Sequence, residues 1–253
     1  MNVLLVYPQI PETFWSFKHA LKFASRRTAF PPLGLLTVAA MLPATWDKKL
    51  VDMNATRLSQ RDLRWADYVF VSAMVAQQDS TRDVIRRSRQ MGKKVVAGGP
   101  LFRRGYEFFG FEGVDHLVIG EAEDLIPRLV RDIEDGCVAA VYEATDRPEM
   151  DRSPVPLWSL INPRHYEMMS LQYSRGCPFN CEFCDIVVMN GRVPRTKSTM
   201  QVIAELDALH ELGWQGSVFF TDDNFIGNKA KLKEEVLPAI IAWYRRNGYR
   251  FSF

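Results

Sequence analysis

Over residues 1–136, short continuously apolar runs alternate with segments of helical pattern, and no other feature narrows the fold as far. "NVLLVYP" (2–8), "KKLVDMNA" (48–55), "ADYVFVSAMV" (66–75), "KKVVAGGP" (93–100) and "VDHLVIGEAED" (114–124) read as five strands. "PLGLLTVAAML" (32–42), "DSTRDVIRRSRQMG" (79–92) and "DLIPRLVRDIEDG" (124–136) read as helices, the second closed by Gly92. Strands apolar on both faces and separated by helices imply an α/β, doubly wound parallel sheet covered on both sides. Such sheets bind ligands outside the carboxyl ends of their strands. Pro8, Ser72, Met74, Gln77, Gly98, Gly99, Pro100, Gly120 and Glu121 fall at those ends. No GxGxxG follows the first strand and no GxxxxGK[ST] occurs, so neither phosphate-binding fingerprint is present. Gly98-Gly99 admits either the close approach of a flat or bulky ligand or a plain tight turn, and spacing alone does not separate the two.

Residues 137–167, "CVAAVYEATDRPEMDRSPVPLWSLINPRHYE", hold four prolines and no periodicity, and read as a partly extended linker pinned by Trp158, Leu160 and Ile161. Alternation then resumes over 168–253. "MMSLQYS" (168–174) and "SVFFTDDNF" (217–225) are predicted strands, and "STMQVIAELDALHELG" (198–213) is a helix with Ser198 and Gln201 spaced as a capping box. "KAKLKEEVLPAIIAWYRRNG" (229–248) is a further helix with a kink expected at Pro238, and "YRFSF" (249–253) opens another strand. A β-α-β-α-β block that stops there is expected to be the first part of a larger unit.

Lys and Arg number 32 against 30 Asp and Glu, a net charge of +2, and 47% of residues are hydrophobic. The balance gives no footprint for nucleic acid or an anionic membrane, and the paired arginines are scattered as solvated faces. No run of about 18 apolar residues and no leader pattern occurs, and the few clustered cysteines argue against a secreted disulfide framework. A reducing cytoplasm is the expected compartment.

Three of the four cysteines, Cys177, Cys181 and Cys184, lie in "SRGCPFNCEFC". A structural zinc site wants four Cys or His ligands, and the remaining Cys137, His165 and His210 are all distant in sequence. Iron–sulfur clusters are normally held by cysteine thiolates, and three thiolates on a four-iron cluster leave one iron open to another ligand. Zinc with a borrowed ligand and a cluster with a vacancy are the two readings of the residues.

CxxxCxxC directly after the first strand of a β/α block resembles the radical SAM superfamily. The resemblance implies a 4Fe-4S cluster on Cys177, Cys181 and Cys184 whose open iron chelates S-adenosylmethionine. It further implies that Phe183, before the last cysteine, lies beside the adenine, and that Asp222, Asp223 and Asn224 contact the methionine amino group. For the acidic pair alone, a strand-end turn is the competing reading. Arg195 and Lys197 in "RVPRTKS" either touch a cofactor or flank the helix cap at Ser198. A doubly wound domain ahead of such a core is similar to the cobalamin-binding class of this superfamily. "RVPRTKS" and "GSVFFTDDNFIGNK" resemble more narrowly the subgroup that includes hopanoid C-2 methylases.

The implied organisation is a Rossmann-like cobalamin-binding domain (1–136), a linker (137–167) and the N-terminal portion of a radical SAM partial barrel (168–253). Ser72, Met74, Gly98, Gly99, Pro100, Gly120 and Glu121 are then expected to contact cobalamin, with Met74 either near its lower face or simply packed. DxHxxG, whose His ligates cobalt in some cobalamin proteins, is absent. The implied activity is methyl transfer to an unactivated carbon of a small molecule or a lipid such as a hopanoid. A reductant such as flavodoxin or ferredoxin is the implied partner. Cyclisation, oxidation or rearrangement with the same cofactors is the alternative, as is a truncated, non-catalytic cofactor-binding fragment.

Overall fold

The computed structural model describes residues 1–13, 18–103, 111–248 and 250–253. Its larger sheet has six strands: β1 (Asn2–Tyr7), β2 (Asp47–Asp52), β3 (Tyr68–Ser72), β4 (Lys94–Gly98), β5 (His116–Ile119) and β6 (Val141–Glu143). Their order is β2-β1-β3-β4-β5-β6, and every pair is parallel. The order reverses beside β1, which makes a doubly wound sheet. Helices α1 (Lys18–Phe23), α2 (Leu33–Met41), α3 (Gln60–Trp65), α4 (Gln78–Gln90) and α5 (Ala122–Glu134) fill the connections.

Alternation along β1 shows why these strands are continuously apolar. Leu4 and Val6 pack with Leu63, Val84 and Ile85 of α3 and α4 on one face. Val3 and Leu5 pack with Leu35, Leu125 and Leu129 of α2 and α5 on the other. With both faces covered, the carboxyl ends of the strands are where the sheet can present chemistry.

The segment read as linker contributes more order than its composition suggests. It supplies β6, and three 3-10 turns follow, at Met150–Arg152, Trp158–Leu160 and Pro163–His165. Trp158 is buried with Leu36, Tyr166 and Met169, and the Leu157 amide donates to the Leu36 carbonyl, so the segment runs along the first sheet's helices as well as the second sheet.

The second block builds on β7 (Met168–Leu171) and β10 (Ser217–Phe220), paired in parallel. Between them lie a two-stranded antiparallel ribbon, β8 (Ser174–Arg175) with β9 (Arg195–Thr196), a short helix α6 (Ile186–Asn190), and α7 (Thr199–Glu211). The predicted capping box is present: Gln201 N donates to Ser198 Oγ at 3.2 Å and Ser198 N to Gln201 Oε1 at 2.9 Å. After β10, α8 (Lys229–Lys231), a π-helical turn (Leu232–Val236) and α9 (Leu237–Arg246) run without a break. The kink expected at Pro238 appears as that π turn, which accommodates the missing proline N–H by widening the preceding turn. Of the last predicted strand, Tyr249 lies outside the described residues, while Ser252 forms a parallel bridge to Ser217 on the free edge of β10.

A candidate cofactor site at the thiol loop

The loop from Gly176 to Pro194 leaves and re-enters the ribbon β8/β9 and carries three thiols. Cys177, Cys181 and Cys184 are free, Cys181 is exposed, and the other two are partly buried. Gly176 stands at the loop entrance with φ +99°, and a Cβ there would lie 2.6 Å from the Val193 carbonyl oxygen. Only glycine lets the two ends of the loop close this tightly. The Cys177 amide donates to the Gly191 carbonyl at 3.0 Å and the Cys184 amide to the Cys181 carbonyl at 3.1 Å, so backbone bonds set the positions of the sulfurs. Among the described residues no three His, Cys, Asp or Glu side chains gather into a site for a single metal ion. Phe183 is 92% exposed beside the cysteines, with Phe179 also exposed. Among the described residues the Phe183 ring is thus almost uncovered.

The strand-end sequence Asp222-Asp223-Asn224 faces the same loop, and each member is already engaged. Asp222 accepts from the Ser174 amide, from Ser174 Oγ at 2.6 Å and from the Tyr173 amide at 3.2 Å. Burial pushes its carboxyl above the ordinary range, against the pull of those hydrogen bonds. Asp223 Oδ2 accepts from the Gly176 amide and from Asn190 Nδ2, both at 2.8 Å. Asn224 Nδ2 lies 3.8 Å from Cys177 Sγ. The acidic pair braces both ends of the thiol loop, and Asn224 reaches a sulfur.

The basic residues after the loop are taken up internally as well. Lys197 is 3% exposed and pairs with the buried Glu205 of α7. Arg195 donates to the Pro148 carbonyl, to the Asn190 carbonyl at 3.1 Å and to Glu121. Of the two readings left by the sequence, the structural one describes both side chains.

The carboxyl ends of the six-stranded sheet approach this loop from the other side. Ser72 pairs with Gly98 in the β3/β4 register, and the Leu101 amide donates to the Ala73 carbonyl at 2.8 Å. Gly99 has φ +88°, and a Cβ there would lie 2.5 Å from Ser72 Oγ and 3.1 Å from the Ala73 amide. Packing of one strand end on the next thus already requires this glycine. Gly98, Gly99 and Pro100 remain at the sheet edge, with Pro100 exposed. Met74 is 39% exposed at the same edge rather than packed, its amide donating to Gln77 Oε1 at 2.8 Å.

Gly120 follows β5, and Glu121 comes next as the N-cap of α5. Glu121 is engaged by protein: Arg175 Nη1 lies 2.8 Å from Oε2, and Arg195 Nη2 lies 2.5 Å from Oε1. Glu123, in the first turn of α5, forms an ion pair with Arg175 Nη2 at 2.8 Å. Burial alone would raise the Glu123 carboxyl, but the Arg175 charge outweighs it and holds the group below its ordinary value. Arg103, beyond β4, reaches Asp185 next to Cys184 at 3.0 Å, and Arg147, beyond β6, donates to the Val188 carbonyl at 3.0 Å. Loops after β4, β5 and β6 all touch the thiol loop, which itself extends from the carboxyl end of β7. The two sheets present their carboxyl ends to one region.

Arg175, Glu123 and Asn190 were missed by sequence reasoning. Arg175 immediately precedes Gly176-Cys177, and a charge at the mouth of a ligand loop was the available signal. Glu123 and Asn190 carried none, because their partners lie 52 and 33 residues away in the chain.

Comparison with known proteins agrees with this architecture. Residues 22–130 match the B12 binding domain family. The chain is 42% identical over 253 residues to an uncharacterized methyltransferase of Synechocystis sp., covering 100% of this chain and 47% of that protein. It is 38% identical over 256 residues to the hopanoid C-2 methylase of Rhodopseudomonas palustris, covering 99% of this chain and 48% of the relative. The chain thus spans about half the length of these curated relatives. Among solved structures, the cobalamin-dependent S-adenosylmethionine radical enzyme OxsB superposes with a TM-score of 0.70 at 16% identity, over 95% of this chain and 37% of that one. The radical S-adenosylmethionine methyltransferase TsrM of Kitasatospora setae does so with a TM-score of 0.67 at 16% identity, over 97% and 51%. At that identity the structural likeness speaks for the fold. In sequence the chain carries a match to a B12 binding domain and resembles the hopanoid C-2 methylase; in fold it resembles cobalamin-dependent S-adenosylmethionine radical enzymes.

Proposed function

We propose that this chain is the cofactor-holding part of a cobalamin-dependent radical SAM methyltransferase. The observation that carries the reading is the position of three free thiols on one loop at the carboxyl ends of a sheet that matches a B12 binding domain. The donor set fits an iron–sulfur cluster in residue type and spacing, because three free thiols lie within eight residues on one loop. Residues 1–136 then hold cobalamin, 137–167 link, and 168–253 begin the radical SAM domain. Cys177, Cys181 and Cys184 hold the 4Fe-4S cluster, and the exposed Phe183 ring is free to lie against the adenine of S-adenosylmethionine. Ser72, Met74, Gly98, Gly99, Pro100 and Gly120 form the sheet edge that receives cobalamin, while Asp222, Asp223 and Glu121 support the thiol loop from behind.

When bound, the cluster with S-adenosylmethionine supplies a carbon-centred radical and cobalamin supplies the methyl group. The protein's share is orientation: backbone bonds set the sulfurs, Asp222 and Asp223 hold the loop ends, and the arginines tie the loop to the sheet that carries the second cofactor. The acceptor in this reading is an unactivated carbon of a small molecule or of a polycyclic lipid such as a hopanoid, supported by the 38% identity to the hopanoid methylase. A flavodoxin or ferredoxin delivers the electron in the cytoplasm.

The test is anaerobic reconstitution with iron, sulfide and cobalamin, followed by S-adenosylmethionine and dithionite, with products read by mass spectrometry. Both 5′-deoxyadenosine and S-adenosylhomocysteine are expected, the second only with cobalamin present. Deoxyadenosine without any S-adenosylhomocysteine would turn the reading toward cyclisation or rearrangement. Neither product would leave a binding module.

A further inference from the structure

We infer that Glu121 is a positioning residue: it neutralises the two arginines at the base of the thiol loop and so holds the loop against the carboxyl edge of the six-stranded sheet. What the loop carries rests on the function proposed above, whereas the positioning concerns only residues of this chain.

The ribbon that closes the loop is two residues long on each side, and its outer register pair is Arg175 with Arg195. Like charges directly opposite each other across an antiparallel pair repel. Here the repulsion is sharpened by burial, since the two side chains are only 15% and 9% exposed. Buried charge of one sign is costly until it is paired. Glu121 answers both arginines: Oε2 takes Arg175 Nη1 at 2.8 Å and Arg195 Nη1 at 3.0 Å, while Oε1 takes Arg195 Nη2 at 2.5 Å. Glu123 adds a second negative charge on Arg175, which balances two cations with two anions. Both carboxylates stand at the start of α5, Glu121 as N-cap and Glu123 in the first turn, where the helix dipole favours negative charge. Glu121 lies 54 and 74 residues from its two partners, so this contact joins β5 to the ribbon across most of the fold.

Among the described residues, the Glu123–Arg175 pair is as buried but holds only one of the two arginines, and the remaining contacts between the sheet and the loop are weaker. The Arg103–Asp185 pair is 30% and 66% exposed, and exposed pairs contribute little. Arg147 donates only to main-chain carbonyls and is itself exposed. Asp222 and Asp223 hold the loop from the β10 side, within the second block. Removing the Glu121 charge should therefore free the ribbon base from the six-stranded sheet while leaving the sheet itself intact.

The experiment compares the wild type, Glu121→Gln and the charge-neutral double variant Glu121→Gln/Arg195→Met. Amide hydrogen exchange of the apo protein is read first. In Glu121→Gln, residues 174–196 should exchange about tenfold or more faster, with β1 to β4 unchanged, and the double variant should regain most of the lost protection. After cluster reconstitution, the EPR signal of Glu121→Gln should broaden and its response to S-adenosylmethionine weaken, and the double variant should restore both. Unchanged exchange over 174–196 in Glu121→Gln would overturn the inference. So would a double variant no better protected than the single, including the case where the single variant loosens everywhere. A wild type that takes up no cluster would count against the proposed function, and the exchange data would still decide the role of Glu121.

Discussion

At the scale of the residue, one carboxylate holds the entrance to the thiol loop. Asp222 gathers the Tyr173 and Ser174 amides and the Ser174 hydroxyl, three donors that are buried and have no water to turn to. Replacing it with Ala leaves those donors unpaired, and each unpaired buried group costs about 1–3 kcal/mol. Asp222→Ala is expected to lower unfolding free energy by about 3 kcal/mol in a denaturant titration. A loss under about 1 kcal/mol would mean the carboxylate is not structural and would return it to the ligand contacts the resemblance implied. The sequence did place Asp222 near the end of the predicted strand "SVFFTDDNF" (217–225), after the cysteine loop. What it does not encode locally is the partner, 48 residues away, so a brace and a ligand contact look alike in sequence. Gly99 is the reverse case. Its need for φ +88° and for no Cβ is explained by the neighbouring strand end, and the doublet Gly98-Gly99 announced that need without saying what approached.

At the scale of the element, long strands and helices were legible and short ones were not. β1, α4 and α7 have enough residues for an apolar period to stand out. β6 has three residues and the ribbon strands two each, too few for any pattern, and they exist because neighbouring strands and ion pairs hold them. The ribbon illustrates how tertiary charge completes such an element: Arg175 and Arg195 would separate it, and Glu121 closes it. One turn further on, Lys197 meets Glu205 of α7, with side chains 4% and 1% exposed. Burial pushes the Glu205 carboxyl up and the Lys197 charge pulls it back. Breaking such a pair from one side strands a buried charge. Lys197→Met alone is expected to cost about 3–5 kcal/mol, whereas Lys197→Met/Glu205→Leu should recover most of that loss. Denaturation of the single and double variants measures it, and additive losses would show that the pair is not coupled.

At the scale of the whole molecule, two parallel sheets turn their carboxyl ends toward one loop. That arrangement follows from the alternating strands and helices, because in a doubly wound sheet every loop of one end lies on one side. The three-cysteine spacing was legible as a thiol site for the same reason that it is local: its ligands lie within eight residues. The meeting of the two sheets was not, since it depends on Arg175, Arg195, Glu121 and Glu123, which only the folded chain brings together. No helix among the described residues is long and apolar enough to cross a membrane. The thiol loop itself carries exposed apolar side chains, Phe179, Phe183, Val188 and Val193.

In the function proposed above, this loop holds a four-iron cluster with one iron left for S-adenosylmethionine. The direct measurement is EPR of the anaerobically reconstituted and reduced protein, with and without S-adenosylmethionine, alongside Cys181→Ala. A 4Fe-4S signal that shifts when S-adenosylmethionine is added and is lost in the variant is expected. Tight stoichiometric zinc with no cluster signal, unchanged by S-adenosylmethionine, would contradict it.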